Sequence, residues 1–387
     1  MESLELLRKL VSINSVFPNE RELAEYLEKK LRELGFTMKR IPISENRFNV
    51  VGERGTGGKA VMLYAHMDTV EPYGTWGTDP FTLTEQPGNE DKLIGLGSVD
   101  MKAGIAAILI ACADEDVRNK NKRIKIAFGV DEENISEGAQ EIAKSGFLND
   151  VEFCISTESP HPDGIELGPK ALTLGRRGRC VIEINVPGQS AHGANLSLGK
   201  NAISEAAKLI PKLEARNQQM KSHELLPPPT QFIRKIHGES NSLSTPDSVT
   251  LELDRHLVTP ETPESALAET QKFIDSLYTN GEFREINGNR ITARLKERKT
   301  PYLAPFVTEK NNPHVMKFAE IIKQKFGSGP KYGYGLSVAD ENIFAARGVP
   351  VAVIGAKGGN EHAANEWVFK SSYFELIDVL KTFLRSC

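Results

Sequence analysis

Apolar runs of strand length alternate along this chain with longer runs whose apolar residues recur at helical spacing. Such alternation predicts a mostly parallel sheet flanked by helices, because consecutive parallel strands need a crossover that a helix supplies. The run AGIAAILIACADED is one such helix, and the strand-like runs are FNVVGE, AVMLYAHM, RIKIAFGV and VEFCIST. The fold class is therefore predicted to be α/β, with a mostly parallel mixed sheet.

The pattern changes after the motif GRRG at Gly175–Gly178. The run CVIEINV alternates in polarity with period two, as a half-exposed strand does. From there to residue 299 the runs follow the order strand, helix, strand, strand, helix, strand, which is typical of a small α+β sandwich. After Thr300 the first pattern resumes. The sequence thus predicts one domain made of residues 1–176 and 300–387, with a second domain, residues 177–299, inserted into it.

Composition describes an ordinary globular protein and argues against several classes of function. Of the 387 residues, 39% are hydrophobic and 26% are charged, and the net charge is −4. The dispersed basic residues offer no surface for nucleic acid, and no apolar run approaches the roughly 20 residues of a membrane span. The four cysteines are scattered with no CxxC spacing, so we expect no thiolate metal site and a reducing, cytoplasmic location.

Histidine and carboxylate residues follow directly on the strand-like runs. The carboxyl ends of parallel strands meet at one edge of an open sheet, so residues distant in sequence converge there. Together these residues offer nitrogen and oxygen ligands and no sulfur, a set that suits zinc, cobalt or manganese. The sequence therefore predicts a site for two divalent metal ions. The residues are His66, Asp100, Glu158, His362 and the adjacent pair Glu132 and Glu133, of which one can bind metal while the other faces the substrate.

Each of these residues also has a purely structural interpretation when taken alone. His66 and Asp68 lie two positions apart, so the Asp68 carboxylate can accept a hydrogen bond from the imidazole, either to orient a metal ligand or to close a loop. Asp100, before a helical run, is typical of an N-cap, and the acidic triplet 131–133 is typical of a solvated turn. A lone loop histidine such as His362 is seldom a ligand. Only the conjunction of these residues at one sheet edge favours metal binding.

Six stretches carry most of the candidate residues: LYAHMDTV, GLGSVDMKAGIAA, FGVDEEN, ISTESP, GQSAHGA and NEHAANEW. In this order along the chain they resemble the motifs of the dinuclear-zinc amidohydrolases and peptidases. That family includes acetylornithine deacetylase, succinyl-diaminopimelate desuccinylase, aminoacylase and carboxypeptidase G. The inserted domain falls where the family has its lid and dimerisation domain.

The resemblance implies two metal sites that share one ligand. Asp100 would bridge the two ions, with zinc as the first expectation and cobalt or manganese as alternatives. His66 and Glu158 would complete one site, and Glu133 and His362 the other. Two divalent ions would outweigh the charge of the three ligand carboxylates, so a hydroxide that bridges them would neutralise the cluster.

The resemblance also implies the catalytic groups. Glu132 would act as general base, taking a proton from the attacking water and passing it to the leaving nitrogen. Asp68 would orient His66. His192, in GQSAHGA, resembles a lid histidine that reaches the partner's active site in family dimers, so we expect a homodimer through the inserted domain. The structural alternative for His192 is an ordinary residue of a surface loop.

Three further residues are expected to contact the substrate. Arg255 resembles an arginine that binds the substrate carboxylate through its planar fork. Alternatively, Arg255 pairs with Asp254 or Glu252 at a strand edge. Asn241 is expected to assist in the lid, and Gly359 to let the backbone approach the substrate.

The resemblance thus implies hydrolysis of the amide bond of an N-acyl amino acid, or of a small peptide with a free carboxylate. The alternatives are a dipeptidase or aminopeptidase of the same family, a non-catalytic relative that kept the fold, and a two-metal phosphoesterase. Retention of Glu132 argues against the non-catalytic relative, and the lack of a phosphate-cradling glycine loop argues against the phosphoesterase. The segment Ser337–Phe344 matches no subfamily signature and is expected to help select the substrate side chain.

Overall fold

The computed structural model describes residues 3–119, 122–158, 167–240 and 242–386. The chain forms two compact units: the larger unit is Met1–Arg176 with Val307–Cys387, and the smaller unit is Arg177–Phe306. The sequence places the end of the inserted segment at residue 299, whereas the structure extends it to Phe306. Leu303 accounts for the difference, because its carbonyl accepts a hydrogen bond of 2.9 Å from the Arg179 N–H and so stays with the smaller unit.

Strands and helices alternate over most of the chain. In chain order the strands are β1 (Thr37–Pro42), β2 (Phe48–Arg54), β3 (Ala60–His66), β4 (Thr84–Gln86), β5 (Asn89–Ile94), β6 (Ile124–Gly129), β7 (Val151–Ser156), β8 (Ala171–Arg176), β9 (Gly178–Pro187), β10 (Thr230–His237), β11 (Ser248–Leu257), β12 (Thr292–Leu295), β13 (Phe306–Val307), β14 (Lys331–Gly335), β15 (Val351–Val353), β16 (Gly358–Gly359) and β17 (Trp367–Phe369). The α-helices are α1 (Ser3–Ser12), α2 (Arg21–Glu33), α3 (Ala103–Ala113), α4 (Glu115–Arg118), α5 (Glu137–Lys144), α6 (Ala202–Ala215), α7 (Pro263–Thr279), α8 (Pro313–Phe326), α9 (Glu341–Ala346) and α10 (Lys370–Ser386).

A nine-stranded mixed sheet forms the centre of the larger unit. Its strand order is β1-β2-β6-β3-β7-β15-β8-β13, and β14 pairs with β8. Neighbours among the central strands β6, β3, β7 and β15 pair in parallel, whereas β1 and β2 are antiparallel. Every residue of β3 and of β6 is buried, as expected for strands covered on both faces. The predicted α/β fold with a mostly parallel sheet is confirmed.

The helices that pack on this sheet differ in how much of their surface is apolar. In α2, Leu23, Leu27 and Leu31 recur every four residues and are buried, so one face of the helix meets the core. Beyond its end stands Gly35 with a φ of 83°, a left-handed conformation that a glycine adopts without strain. By contrast, α3 is apolar along its whole length and almost entirely buried. The helix that follows Asp100 is therefore held by the core on every side.

The prediction that Asp100 follows a strand of the central sheet is wrong. The strand β5 ends at Ile94, and it belongs to a separate four-stranded sheet of order β16-β17-β5-β4. Asp100 lies beyond it, in the turn Ser98–Lys102 that leads into α3, and its own φ and ψ of −114° and 88° are not helical. His362 also lies away from a strand of the central sheet, in the loop between β16 and β17. An apolar run alone does not reveal that its strand pairs with distant segments of the chain.

The smaller unit is an antiparallel sheet with two helices. Its strands follow the order β10-β11-β9-β12, and each neighbouring pair is antiparallel. Helices α6 and α7 pack their apolar faces on this sheet and share its core. The Thr262 side chain accepts from the Ser265 N–H, and the Ser265 hydroxyl accepts from the Thr262 N–H, which caps α7. The predicted order of strand, helix, strand, strand, helix, strand is confirmed.

Cys112, Cys154 and Cys180 are buried and free, as apolar flanking residues predict. Among the helices of the described residues, none combines the length and apolarity that crossing a membrane requires.

Gly104 allows α3 to pack closely on the chain just beyond β7. A Cβ at this position would lie 2.4 Å from Thr157 Oγ1 and 2.6 Å from the Thr157 carbonyl oxygen. We predict that Gly104→Ala lowers the free energy of unfolding by about 1–3 kcal/mol, because the added methyl group forces a buried helix away from its neighbour. Urea unfolding measures the change. Gly329→Ala is the matched control, since no atom lies within 4 Å of a Cβ there; an equal loss in both variants would contradict close packing as the cause.

Candidate metal centre

Neighbouring strands of the central sheet bring three of the predicted residues together. His66 is the last residue of β3, and Glu133 and Glu158 lie just beyond β6 and β7, the two strands that flank β3. In the parallel pairing of β3 with β6, His66 stands opposite Gly129, the last residue of β6. These strands therefore end at the same edge of the sheet, which is how residues far apart in sequence meet there.

His66 faces two carboxylates. Its Nε2 lies 3.0 Å from Asp100 Oδ1 and 3.2 Å from Glu158 Oε2. The imidazole is buried, and so is most of the Glu158 side chain. Burial, reinforced by the charge of Asp100, raises the pKa of Glu158 to about 8, because a buried carboxylate is penalised for ionising. A cation bound between these side chains would therefore offset the cost of burying the two carboxylates.

His362 forms a second group with the other oxygen of Asp100. Its Nε2 lies 2.9 Å from Glu133 Oε2 and 3.3 Å from Asp100 Oδ2. Hydrogen bonds with Asp100 and Glu133 raise the pKa of His362 to about 11, so this part of the site attracts positive charge strongly. Asp100 thus presents one carboxylate oxygen to each histidine.

The ligand atoms are spaced as metal ligands are. Within each of three groups of side chains they all lie within 4.8 Å of one another. The groups are His66 with Asp100 and Glu158, Asp100 with Glu133 and His362, and His66 with Glu132 and Glu133. Imidazole nitrogens and carboxylate oxygens, without sulfur, suit zinc, cobalt or manganese. The donor set fits two divalent ions that share Asp100.

Asp68 contacts both groups, but not in the way the sequence predicts. The His66 Nδ1–H donates to the backbone carbonyl of Asp68 at 2.9 Å, whereas the nearer carboxylate oxygen lies 3.7 Å away. The carboxylate instead accepts from the Glu133 N–H at 3.0 Å. Donation from Nδ1 leaves the lone pair of Nε2 free for a metal, so the backbone performs the orienting task that was expected of the side chain.

Glu366 is a supporting residue that the sequence did not reveal. Its buried carboxylate accepts hydrogen bonds from the N–H groups of Gly97, Val99 and Asp100 at 2.7, 2.9 and 3.0 Å. These bonds hold the turn from which the Asp100 side chain projects. Burial raises the pKa of Glu366 to about 8, with Asp100 adding to the effect. The available signal was its place in the stretch NEHAANEW, directly before the short strand β17 and far in sequence from the turn that it binds.

The site opens into a cavity of about 220 Å³. Burial raises the pKa of Glu132 well above its ordinary value, although His66 nearby opposes the shift. Arg176, the last residue of the buried strand β8, also lines the cavity and was not predicted. The segment Ser337–Phe344 contributes its first three residues to the lining. The lining residues are Asp100, Glu132, Glu133, Glu158, Arg176, Ser337, Val338, Ala339, Glu361 and His362.

Arg255, the predicted carboxylate clamp, is buried in the smaller unit. Its Nη2 pairs with Glu261 and lies 2.6 Å from Glu269 Oε2. The alternative partners Asp254 and Glu252 are therefore wrong, since both carboxylates pair with other basic residues. Buried Nε and Nη1 atoms of Arg255 have no hydrogen-bonding partner among the described residues. Its role as a substrate clamp stays a prediction.

Three predicted residues remain, namely His192, Asn241 and Gly359. His192 is exposed on a loop of the smaller unit, where its Nδ1 accepts from the Ala194 N–H at 3.1 Å. Asn241 lies outside the described residues. Gly359 pairs with Trp367 across β16 and β17, and a Cβ there would lie 2.9 Å from the indole ring. Packing therefore accounts for the glycine, and its contact with substrate stays a prediction.

The family of the chain follows from its sequence. The sequence model described as "Peptidase family M20/M25/M40" matches residues 62–386. The chain belongs to this peptidase family. It is therefore an enzyme, a metal-dependent hydrolase of the M20 type, and the resemblance inferred from its motifs is confirmed.

Relatives of this M20 chain carry two kinds of name. It is 24% identical to a protein of Staphylococcus aureus strain N315 named "Probable succinyl-diaminopimelate desuccinylase", over 98% of this chain and 96% of the relative. It is 31% identical to an acetylornithine deacetylase of Erwinia tasmaniensis, over 61% of this chain and 62% of the relative.

Two solved structures show that the fold of this chain is shared with known proteins. A tripeptidase from Staphylococcus aureus superposes with a TM-score of 0.77 at 21% identity, covering 99% of this chain and 97% of its own. A dinuclear metal-binding M20 peptidase from Bacillus subtilis superposes with a TM-score of 0.73 at 14% identity, again over 99% and 97% of the two chains. At these identities the likeness concerns the fold.

We predict that Glu366→Gln weakens metal binding about 10- to 100-fold, although this side chain is not among the candidate metal ligands. An amide has one accepting oxygen in place of two, so part of the turn that carries Asp100 loses its hydrogen bonds. Competition of the protein with a zinc-chelating dye measures the affinity. Glu90→Gln, on the exposed face of β5, is the control. Equal zinc affinity in both variants would show that the turn holds Asp100 without Glu366.

Proposed function

We propose that this M20 enzyme hydrolyses the amide bond of N-acyl amino acids, or of small peptides with a free carboxylate. One observation carries the proposal: the two oxygens of Asp100 face two separate histidine and carboxylate groups, and Glu132 lies in the same cavity. A shared carboxylate between two such groups is the arrangement that a pair of divalent cations requires.

His66, Asp100 and Glu158 would hold one ion, and Asp100, Glu133 and His362 the other. Zinc suits these ligands best, and cobalt or manganese suit them also. Two divalent ions bound there would polarise the amide carbonyl and make a water molecule more acidic. The Nδ1–H of His66 is held by the Asp68 carbonyl, so that its Nε2 remains a ligand.

Glu132 is the proposed general base. Its carboxylate lies beside His66 and Glu133, and burial gives it a pKa well above that of a solvated glutamate. A carboxylate of raised basicity can take the proton from the attacking water and deliver it to the leaving nitrogen.

The substrate class rests on the relatives and on the size of the cavity. A volume of about 220 Å³ admits a short acyl group or one small side chain. The names desuccinylase and deacetylase both describe removal of an acyl group from an amino acid. The tripeptidase among the similar structures supports the second candidate, a dipeptidase or aminopeptidase.

A hydrolysis screen tests this proposal. The protein is stripped with a chelator, reloaded with zinc, cobalt or manganese, and offered N-acetylornithine, N-succinyl-diaminopimelate and a panel of di- and tripeptides. We expect turnover only after reloading, with N-acyl amino acids as the better substrates. Faster cleavage of peptides with a free amino terminus would establish the peptidase instead. No turnover with any metal would reject the hydrolytic proposal in favour of a binding protein.

We further propose that the smaller unit forms a lid and a homodimer interface, with the exposed His192 acting in the partner's site. Light scattering of the metal-loaded enzyme measures its mass in solution. A fully active monomer would remove this role from His192.

We predict that Glu132→Gln lowers kcat about 10²- to 10⁴-fold while metal content stays at the wild-type level, because an amide cannot accept the proton. Steady-state kinetics and elemental analysis of the same sample measure both quantities. Glu361→Gln removes a carboxylate of the same cavity that is outside the candidate ligand groups and should cost much less. Loss of metal from Glu132→Gln would make Glu132 a ligand, in line with its place beside His66 and Glu133.

A further inference from the structure

One part of the cavity has no task in the proposed chemistry. It is lined by Arg176 and by Ser337, Val338 and Ala339. Arg176 is the one arginine or lysine among the described residues that line the cavity. A cation beside a hydrolytic site would ordinarily serve as a receptor for a substrate carboxylate. Whether Arg176 can bind a substrate carboxylate depends on whether another side chain already neutralises its charge.

Glu341 neutralises Arg176 from within the fold. The Arg176 Nε lies 3.1 Å from Glu341 Oε2, and the two side chains are only 2% and 1% exposed. The two atoms lack the alignment of a hydrogen bond, so the contact is an ion pair. Burial alone would lower the pKa of Arg176, but the neighbouring carboxylates, Glu341 foremost, raise it. The Arg176 guanidinium therefore stays charged, and Glu341 already balances its charge within the fold before any ligand arrives.

The segment that carries Glu341 is held in place by its neighbours. The Tyr64 hydroxyl, from β3, donates to the Asp340 carboxylate. The Ala339 N–H donates to Asn342 Oδ1 at 3.0 Å. These contacts flank Glu341 on both sides in sequence and are buried. The backbone that carries Glu341 is therefore held on both sides, and the Glu341 side chain is itself buried against Arg176.

Close packing holds Arg176 as well. A Cβ at Gly335 would lie 2.9 Å from Arg176 Cγ, so a glycine there leaves room for the arginine. The Arg176 Nη2 has no hydrogen-bonding partner among the described residues. Within a neutral pair, such an N–H group suits an uncharged carbonyl oxygen better than a second carboxylate.

We propose that Glu341 determines the charge preference of the cavity, by occupying Arg176 so that this wall accepts a short uncharged group and rejects a carboxylate. The proposal rests on the proposed function and narrows it. Acyl groups of the acetyl or butyryl type are favoured over succinyl. A carboxylate placed against this wall would gain less from Arg176, because the negative charge of Glu341, 3.1 Å from the Arg176 Nε, offsets part of the attraction.

The test compares N-butyryl and N-succinyl derivatives of one amino acid, whose acyl groups have the same chain length and differ in a terminal methyl or carboxylate. We expect the wild-type enzyme to have a kcat/KM at least tenfold higher for the butyryl compound.

Three variants test the ion pair through the ratio of kcat/KM for the succinyl compound to kcat/KM for the butyryl compound. Glu341→Gln releases Arg176, so this ratio should rise at least tenfold. Arg176→Gln leaves Glu341 unpaired, so the ratio should fall below that of the wild type. The variant with both substitutions should return towards the wild-type ratio.

Glu361→Gln is the matched control for charge. It removes a negative charge from the same cavity, and Glu361 is not among the carboxylates that chiefly raise the pKa of Arg176. Its ratio should change less than threefold. A change as large as that of Glu341→Gln would attribute the preference to the overall charge of the cavity and overturn the role of the pair.

Binding without turnover provides a separate measurement. Calorimetric titration of the zinc-loaded proteins with succinate and with butyrate should give a succinate to butyrate affinity ratio at least tenfold higher in Glu341→Gln than in the wild type.

The outcomes separate this proposal from the proposed function. If no N-acyl amino acid is hydrolysed, the proposed function fails, while the ratio of binding affinities still decides the present proposal. If Glu341→Gln does not fold, the fall in Arg176→Gln and its reversal in the double variant decide it. Ratios that stay within twofold of the wild type in the folded variants, or a tenfold wild-type preference for succinyl, would overturn it.

Discussion

Both histidine groups of the metal centre meet on one carboxylate, that of Asp100, so its position governs the whole site. No strand holds it. The turn Ser98–Lys102 is instead fixed from outside by Glu366, whose carboxylate accepts three backbone N–H groups, and by Lys102, whose buried ammonium donates to the Ile13 carbonyl at 2.8 Å. The chain near α1, the small second sheet and the loop before β17 thus all converge on one turn. A shift in any of them moves a ligand that two cations would share.

The larger unit keeps two kinds of buried charge close together. Around His66, the carboxylates outnumber the cationic side chains, and burial raises the pKa of Glu132 and Glu158. Such a cluster is stable as anions only with cations bound, so metal binding and the stability of the folded site are linked. Beside it, Arg176 and Glu341 compensate each other without any ligand. The carboxylate cluster would hold the metal ions of the proposed hydrolysis, and the Arg176–Glu341 pair would select the charge of the substrate's acyl group.

Residues at strand ends were predictable where the strand belongs to the central sheet. For His66, Glu133 and Glu158, a buried run followed by a polar residue was sufficient, because adjacent parallel strands end at one edge. The same reasoning failed for Asp100, since the strand β5 before it pairs with β17 from the far end of the chain and with its neighbour β4 rather than with the central sheet. Asp68 was identified as a partner of His66, but the carbonyl rather than the carboxylate makes the bond. The spacing of two residues in sequence does not show whether the backbone carbonyl or the side-chain carboxylate of Asp68 accepts the hydrogen bond.

The sequence by itself determined the alternation of elements, the inserted α+β unit and the identity of the residues that can bind a metal. These follow from local periodicity and from residue chemistry, which a chain carries wherever it folds. Only the tertiary structure decided which residues support that site. Glu366 reaches a turn hundreds of residues away, and Glu341 meets Arg176 across the fold. The role of a buried polar group depends on the groups that it contacts, and tertiary packing rather than proximity in sequence brings those groups together.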